Sequence, residues 1–275
     1  MNVINTNIGA IRATNASTAA SKELGSAMER LSTGKRINSA KDDAAGLAIA
    51  TSMTAQIKGM SQGVRNANDG ISLAQTAEGA LNEVTNMLQR VRELAVQSAS
   101  GTYQDATDRS YMQTEVDELT AQIDQVISNS EFNGVALFDG TTASVTIQAG
   151  ANATDTVALT MADLTGLAAS GGVAGSYDVD DTVGASATIT AIDTELDTIS
   201  GNRAILGAGQ NRLESAVNNL TDNLTNLSEA RSRIEDADYS TETTKLAKAQ
   251  ILSQASTAML AQANQSQQNV LSLLR

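Results

Sequence analysis

Apolar residues recur every seven positions over long stretches of this chain, and no proline interrupts them anywhere in its 275 residues. Such a repeat places one apolar stripe along a helix, and the absence of proline leaves the helical hydrogen-bond ladder unbroken. A helix over residues 53–96 would be about 65 Å long. We therefore predict a rod of long helices, whose first stripe consists of Met53, Met60, Ala67, Ala74, Leu81, Leu88 and Ala95.

Two further segments show helical spacing. The second stripe consists of Leu206, Leu213, Leu220, Leu227 and Ile234. A shorter one, at steps of three and four between residues 108 and 128, consists of Met112, Val116, Leu119, Ile123 and Ile127. Because each stripe must be buried against another, the three segments predict a small elongated bundle.

Residues 132–190 lose the helical spacing and gain turn residues such as Asn133-Gly134. Apolar residues alternate with polar ones on both sides of residues 150–155, which predicts a small peripheral β-hairpin. The alternating residues are Val145, Ile147, Val157, Leu159 and Met161.

Both ends of the chain also have helical spacing, but their stripes are thin. Ser256 and Ser266 occupy heptad positions at the C-terminal end, and Thr18 and Gly25 interrupt the N-terminal stripe. Helices with so few large apolar residues are marginal alone, so we expect the two ends to pack on each other and on neighbouring subunits. The residues expected to pack there are Ile4, Ile8, Ile11, Leu24, Leu31, Leu252, Met259, Val270 and Leu273. The predicted fold is mainly α: a long antiparallel helical rod or coiled-coil bundle with discontinuous domains formed by both ends.

Composition excludes several classes of function. The chain has no His and no Cys, which rules out Cys-His and Ser-His-Asp catalysis and zinc sites built from those ligands. It has no phosphate-binding GxxxxGK loop either. We therefore expect no enzyme activity, no metal and no cofactor.

The net charge of −13 argues against nucleic acid as a partner, since the phosphate backbone would repel the chain. The longest apolar run, residues 44–50, is too short for a secretory signal or a membrane span. We therefore expect neither a cleaved signal nor a membrane partner.

The pair Asp42 and Asp43 beside Lys41 has two interpretations. Neighbouring carboxylates can perform acid-base chemistry. The simpler interpretation, which we favour, places both carboxylates at the start of the long helix, where they complement its dipole.

Five segments resemble bacterial flagellins. They are ERLSTGKRINSAKDDAAG at 29–46, RNANDGIS at 65–72, QRVRELAVQS at 89–98, DADYSTE at 236–242 and QNVLSLL at 268–274. The resemblance covers roughly residues 1–140 and 200–275, and it implies a minimal flagellin without large outer domains.

The resemblance also implies a layout and a set of partners. Residues 1–42 and 238–275 would form a terminal coiled-coil domain in the filament core, and residues 43–237 a helical rod domain that includes 132–190. The chain would be exported through the flagellar type III apparatus to the extracellular filament used for swimming. Its partners would be other copies of itself, the flagellar cap, junction proteins and an export chaperone.

Arg90, Leu94 and Glu115 match positions that, in the family, contact neighbouring subunits and, in some members, a host Toll-like receptor. From spacing alone, the charged residues here would be a solvated helix face. The resemblance adds subunit or receptor contact as the alternative.

Residues 141–190 contain fourteen Ser or Thr residues, a density that suggests O-linked glycosylation or simply exposed loop and strand. The candidate positions are Ser144, Thr154, Ser170, Ser176 and Ser186.

Two other functions fit part of the pattern: a hook-filament junction protein, which shares related terminal helices, and a secreted coiled-coil adhesin, which accounts for the heptads but not for the motifs.

Overall fold

A computed structural model describes residues 6–167 and 176–272, without the side chains at 106 and 267–272. Within the described residues the chain forms five long helices and two small β-hairpins, which confirms the predicted fold class. The helices are α1 Ile8–Thr33, α2 Ala44–Ser98, α3 Ser110–Asn129, α4 Thr182–Glu235 and α5 Tyr239–Ser272.

The chain divides into two compact units. The terminal unit comprises Met1–Gln56 and Thr225–Arg275, and the central unit comprises Ile57–Leu224. Both divisions fall inside helices, one in α2 and the other in α4.

In the terminal unit, α1 packs antiparallel to α5. Local capping explains where these helices begin and end. The Asn7 side chain accepts a hydrogen bond from the Ala10 N–H at the start of α1, and Gly34 ends that helix with a φ of 72°. Asp238 accepts from the N–H groups of Ser240 and Thr241 at the start of α5. Each cap satisfies backbone groups that a helix end leaves unpaired.

The segment after α1 is tied to the end of α4 within the terminal unit. The Arg36 N–H donates to the Glu235 carbonyl at 2.6 Å, and the Ala237 N–H donates to the Gly34 carbonyl at 3.0 Å. Lys35 forms an ion pair with Glu235. Two backbone bonds and one ion pair therefore bring the N-terminal and C-terminal parts of the chain together.

Asp42 and Asp43 lie where the simpler interpretation put them, directly before α2. Asp43 accepts from the Gly46 N–H at 2.8 Å, and Asp42 accepts from the Ser39 N–H at 2.9 Å. The hydrogen bonds from Ser39 lower the pKa of Asp42. Both carboxylates serve as caps and turn-formers of this segment.

The core of the central unit contains the stripes predicted from spacing. Of the α2 stripe, Ala67, Ala74, Leu81, Leu88 and Ala95 are completely buried, and Met112, Val116, Ile123 and Ile127 of α3 are buried with them. From α4 come Leu206, Leu213 and Leu220. Spacing alone therefore found part of the helical core: Met53, Leu227 and Ile234 of the predicted stripes are only half-buried, and the buried Val84, Val91, Ile192 and Ile199 were not predicted.

The predicted hairpin is present as β3 Ser144–Gln148 and β4 Thr156–Thr160. Val145 pairs with Leu159, and Ile147 pairs with Val157. A second, very short hairpin pairs β1 Glu131–Phe132 with β2 Val135–Ala136. Its turn is Asn133-Gly134, and both residues have positive φ, which Asn and Gly tolerate.

The turn between β3 and β4 lies directly against α2. A Cβ atom placed on Gly63 would lie 2.8 Å from the Gly150 backbone nitrogen, and one placed on Gly59 would lie 2.8 Å from the Ala151 Cβ. Asn66 donates to the Gln148 carbonyl at 3.0 Å. Two glycines on α2 therefore provide the space that this close approach requires.

Residues of the loops after each hairpin contribute more to the core than their turn-rich composition indicates. Leu137, Phe138, Tyr177 and Val179 are each at most 1% exposed. In addition, α4 begins at Thr182, inside the segment that had lost helical spacing. The Asp181 side chain accepts from the N–H groups of Val183 and Gly184 and so caps the helix.

Candidate assembly surface

Small side chains form the contact between α1 and α5. On α1 the buried residues are Ala13, Ala20 and Ala27, which are seven residues apart. On α5, Ala249 is completely buried and Ser256 is 8% exposed, again seven residues apart. We call these five residues together with Glu242 the inner seam. Because alanine and serine occupy so little space, the two helices pack closely and bury little apolar area.

The large apolar side chains of the same helices lie outside the inner seam. They are half to two-thirds exposed in most cases, and they comprise Ile8, Ile11, Met28, Ile251, Leu252 and Met259. We call these six the outer apolar residues. So many exposed large apolar side chains on one helix pair are typical of a surface that binds another protein.

The residues expected from sequence to pack at the chain ends divide into three groups. Ile8, Ile11, Leu252 and Met259 are exposed in the single chain, whereas Leu24 and Leu31 are half-buried. Ile4 and Leu273 lie outside the described residues, as does the side chain of Val270. The alanines of the inner seam are not among the expected packing residues, although their seven-residue spacing is visible in the sequence.

Glu242 is the charged member of the inner seam. It is 5% exposed, and its carboxylate lies 3.4 Å from an Arg30 guanidinium nitrogen of α1 and 2.7 Å from Lys245 Nζ of α5. The hydrogen bond from Lys245, with the charge of Arg30 adding to it, lowers the pKa of Glu242. At the other end of the pair, the Asn7 side-chain amide donates to the Ala263 carbonyl at 3.1 Å. Polar contacts therefore join α1 and α5 at both ends.

In the central unit, charged residues connect neighbouring helices on the surface. Arg90 of α2 donates from two nitrogens to Glu115 of α3 at 2.9 and 2.8 Å, and from a third to Glu93 at 3.1 Å. These carboxylates, Glu115 first, raise the pKa of Arg90. Arg92 donates to Asp193 of α4 at 2.7 Å and lowers the pKa of Asp193.

The structure brings Arg90 and Glu115 together as an exposed ion pair. Leu94 is different, because it is 3% exposed and belongs to the core of the central unit. Of the three positions, Arg90 and Glu115 are therefore exposed in the single chain and Leu94 is not.

Arg109 was not predicted, although it is the most enclosed cation among the described residues. Its guanidinium donates to the carbonyls of Ser98, Ser100 and Tyr103 and to Asp105. It thereby satisfies carbonyls at the end of α2 and holds the loop that continues into a short π-helical turn, Asp105–Arg109. In the sequence it is a lone arginine beside a loop, and most such arginines are solvated side chains on the surface.

The candidate glycosylation positions lie mostly on the surface. Ser144, Thr154 and Ser186 are exposed, Ser176 is half-buried, and Ser170 lies outside the described residues. The Ser186 hydroxyl donates to the Thr182 carbonyl within α4.

The described residues contain neither a candidate metal site nor a membrane-spanning helix. No group of three or more acidic side chains among them is arranged to hold a metal ion. No helix in the described part of the chain has the length and apolarity needed to cross a membrane.

Comparison with known proteins gives consistent matches at both ends of the chain. The bacterial flagellin N-terminal helical region matches residues 4–143, and the bacterial flagellin C-terminal helical region matches residues 189–274. The chain is 44% identical to a flagellin of Bacillus subtilis, with 99% of each chain covered. It is 47% identical to a flagellin of Halalkalibacterium halodurans, over 90% of this chain and 91% of the other.

A solved structure agrees with these matches. The crystal structure of Bacillus cereus flagellin is similar with a TM-score of 0.51 and 33% sequence identity, covering 61% of this chain and 94% of that one. The helical layout, the paired chain ends and the sequence matches at both ends lead to one assignment: the chain belongs to the bacterial flagellin family.

Proposed function

We propose that this chain is the structural subunit of an extracellular flagellar filament and that it assembles through α1 and α5. The observation that carries the proposal is the arrangement of these helices. Their inner seam consists mainly of alanine, whereas their outer apolar residues remain exposed in the single chain. Flagellin relatives that match over nearly the whole chain do not favour the junction protein or the adhesin.

The physical basis of assembly is burial of the outer apolar residues between copies. Full burial of a large aliphatic side chain stabilises by about 1.5–3 kcal/mol, so burial of the six outer apolar residues would offset part of the entropy lost on ordering the helices. Assembly would therefore complete the folding of the terminal unit. In this scheme residues 1–42 and 238–275 form the filament core and residues 43–237 the surrounding layer.

The sharpest test makes the outer apolar residues polar without weakening the helices. Gln is nearly as good a helix former as Met and better than Ile, so Ile251→Gln with Met259→Gln alters mainly the surface. We expect the concentration needed for tube formation to rise at least about tenfold. Sedimentation and electron microscopy of purified chain measure this.

The matched control is Ile205→Gln, at a 48% exposed isoleucine of α4 in the central unit. It should form tubes almost as readily as the natural chain. The proposal fails if the natural chain forms no tubes, or if the Ile251 and Met259 variant forms them equally well.

The other partners would follow from the same surfaces. An export chaperone would have to cover the outer apolar residues before assembly, and cap and junction proteins would contact α1 and α5 at the two ends of a filament. Host Toll-like receptor recognition would use Arg90 and Glu115. A receptor-reporter assay should therefore respond to the natural chain and to the control variant Arg65→Ala, but much less to Arg90→Ala. The absence of a response to all three would reject receptor recognition.

Glycosylation at Ser144, Thr154, Ser170, Ser176 or Ser186 is a separate proposal, supported by the exposure of three of the five. Intact-mass spectrometry of chain isolated from filaments should give a mass above that of the bare 28.4 kDa chain. A mass equal to the bare chain would reject the modification.

A further inference from the structure

The inner seam does not by itself determine how far α1 slides along α5. Ala13, Ala20 and Ala27 are equally spaced and identical, and Ala249, Ser256 and Ala263 repeat at the same spacing on the other helix. A slip of one heptad would place small residues against small residues again. Repetitive coiled-coil interfaces of this kind depend on a polar residue to select one register.

Glu242 interrupts this repetition. It is seven residues before Ala249, in the same row of the inner seam, and it is buried with a charge. Its contact with Lys245 lies within α5 and moves with that helix. The contact with Arg30 crosses directly from α5 to α1, so it depends on how these two helices are aligned. The backbone bonds between Arg36 and Glu235 and between Ala237 and Gly34, beside the ends of the two helices, depend on the same alignment.

A slip of seven residues separates this pair in either direction. One slip places Glu242 level with Glu23 of α1, where two carboxylates repel each other. The opposite slip carries Glu242 past Thr33, where α1 ends. In both cases a charge at a buried seam position loses its partner across the interface, which is strongly unfavourable.

We propose that Glu242, through Arg30, is the positioning residue that sets the register of α1 against α5. The consequence for assembly rests on the proposed function: one register gives one relative placement of the outer apolar residues on the two helices. Every subunit then presents the same surface to its neighbours. A mixture of registers would present several surfaces.

The chain contains no Cys, so the register can be read from introduced cysteine pairs. A Cβ atom placed on Gly9 would lie 3.6 Å from the Cβ of Ala263, within the range for a disulfide. Gly9→Cys with Ala263→Cys therefore reports the observed register. Gly9→Cys with Ser256→Cys reports a slip in one direction, and Ala16→Cys with Ala263→Cys reports a slip in the other.

Each pair is combined with Glu242→Gln and, as a matched control, with Glu29→Gln, which alters an exposed carboxylate one residue before Arg30. A small fraction of the variant chain is assembled with excess natural chain, whose lack of thiols keeps disulfides within single subunits. The soluble fraction is oxidised in parallel. Non-reducing electrophoresis and peptide mapping then give the ratio of slipped to observed register.

We expect the ratio of slipped to observed links to rise about tenfold for Glu242→Gln and to stay unchanged for Glu29→Gln. Arg30→Lys should keep the observed register, because it preserves the cation, whereas Arg30→Gln should behave like Glu242→Gln. A merely structural weakening would reduce all links without favouring the slipped pairs. That result, or an unchanged ratio in Glu242→Gln, overturns the proposal.

The two proposals fail separately. If the natural chain forms no tubes, the filament function is rejected, and the ratio of links in the soluble chain still decides the register. If tubes form while Glu242→Gln keeps the observed register, only the role of Glu242 is rejected.

Discussion

At the scale of single residues, Arg109 shows how one side chain can hold a loop. It is 3% exposed and donates to three carbonyls and one carboxylate around the end of α2. Removing it would leave the buried Ser98 carbonyl and the partly buried carbonyls of Ser100 and Tyr103 without this donor, and an unsatisfied buried polar group is costly.

We predict that Arg109→Met lowers the free energy of unfolding by about 3 kcal/mol. The control is Arg203→Met, because Arg203 is partly exposed and lies 3.8 Å from Glu78. Exposed ion pairs contribute less than about 1 kcal/mol to the free energy of unfolding. Urea denaturation followed by circular dichroism gives both values, and equal effects would contradict the assigned role of Arg109.

The glycines of α2 provide a second comparison at residue scale. Gly63 has no room for a side chain beside Gly150, whereas a Cβ on Gly79 would meet nothing within 4 Å. We predict that Gly63→Ala destabilises by about 1–3 kcal/mol through overpacking, while Gly79→Ala stabilises by up to about 1 kcal/mol through helix propensity. Thermal unfolding of the two variants should therefore shift in opposite directions.

At the scale of elements, the long helices were predictable and the irregular segments were not. The stripes of α2, α3 and α4 follow from spacing, because a helix buried on one side needs apolar residues at helical intervals. The core positions of Phe138 and Tyr177 depend on distant contacts that no local pattern encodes. The cap Asp181 was a readable signal for the early start of α4, but turn residues such as Gly171-Gly172 favoured a segment without helix.

The terminal helices show a different limit of sequence reasoning. Large apolar residues such as Ile8 and Met259 were expected to pack at the chain ends, yet in the single chain the alanines occupy the interface and these residues are exposed. A pattern of apolar residues indicates that a face will be buried, but not whether the covering surface belongs to the same chain. Glu242 was likewise unreadable, because burial of a carboxylate depends on the partner helix.

The α1 and α5 pair should respond to acid through Glu242. Its pKa is lowered in the folded state by Lys245 and Arg30. Its contribution to the free energy of unfolding is therefore present above the ordinary Glu pKa of about 4.3, and it is lost as pH falls through the lower pKa of the folded state. The cations that face Glu242 are Arg30 of α1 and Lys245 of its own helix, and α1 also carries the carboxylates Glu23 and Glu29.

We therefore predict that Glu242→Gln is less stable than the natural chain at neutral pH and that the difference shrinks as pH falls below about 4. Protection of α1 and α5 amides from hydrogen exchange, measured across this range, reports the difference. A constant difference at all pH values would show that the Glu242 charge is not responsible.

At the scale of the whole molecule, we expect the two compact units to have different roles: the terminal unit is needed for assembly, and the central unit is not sufficient for it. We predict that a chain trimmed to residues 43–237 keeps the helical signal of the central unit but forms no tubes at any concentration, because it lacks α1 and α5. Circular dichroism checks the first expectation and electron microscopy the second. Tubes built from the trimmed chain would contradict assembly through the terminal helices.

The exposed large apolar side chains of α1 and α5 also limit how much unassembled chain can accumulate inside the cell. A newly synthesised chain exposes these apolar side chains. Chains that are not bound to another protein would therefore aggregate, and more so at higher concentration. Such a chain would not accumulate in the cell without a protein that covers these residues. We expect its synthesis to keep pace with export, so that few copies wait in the cytoplasm at any time.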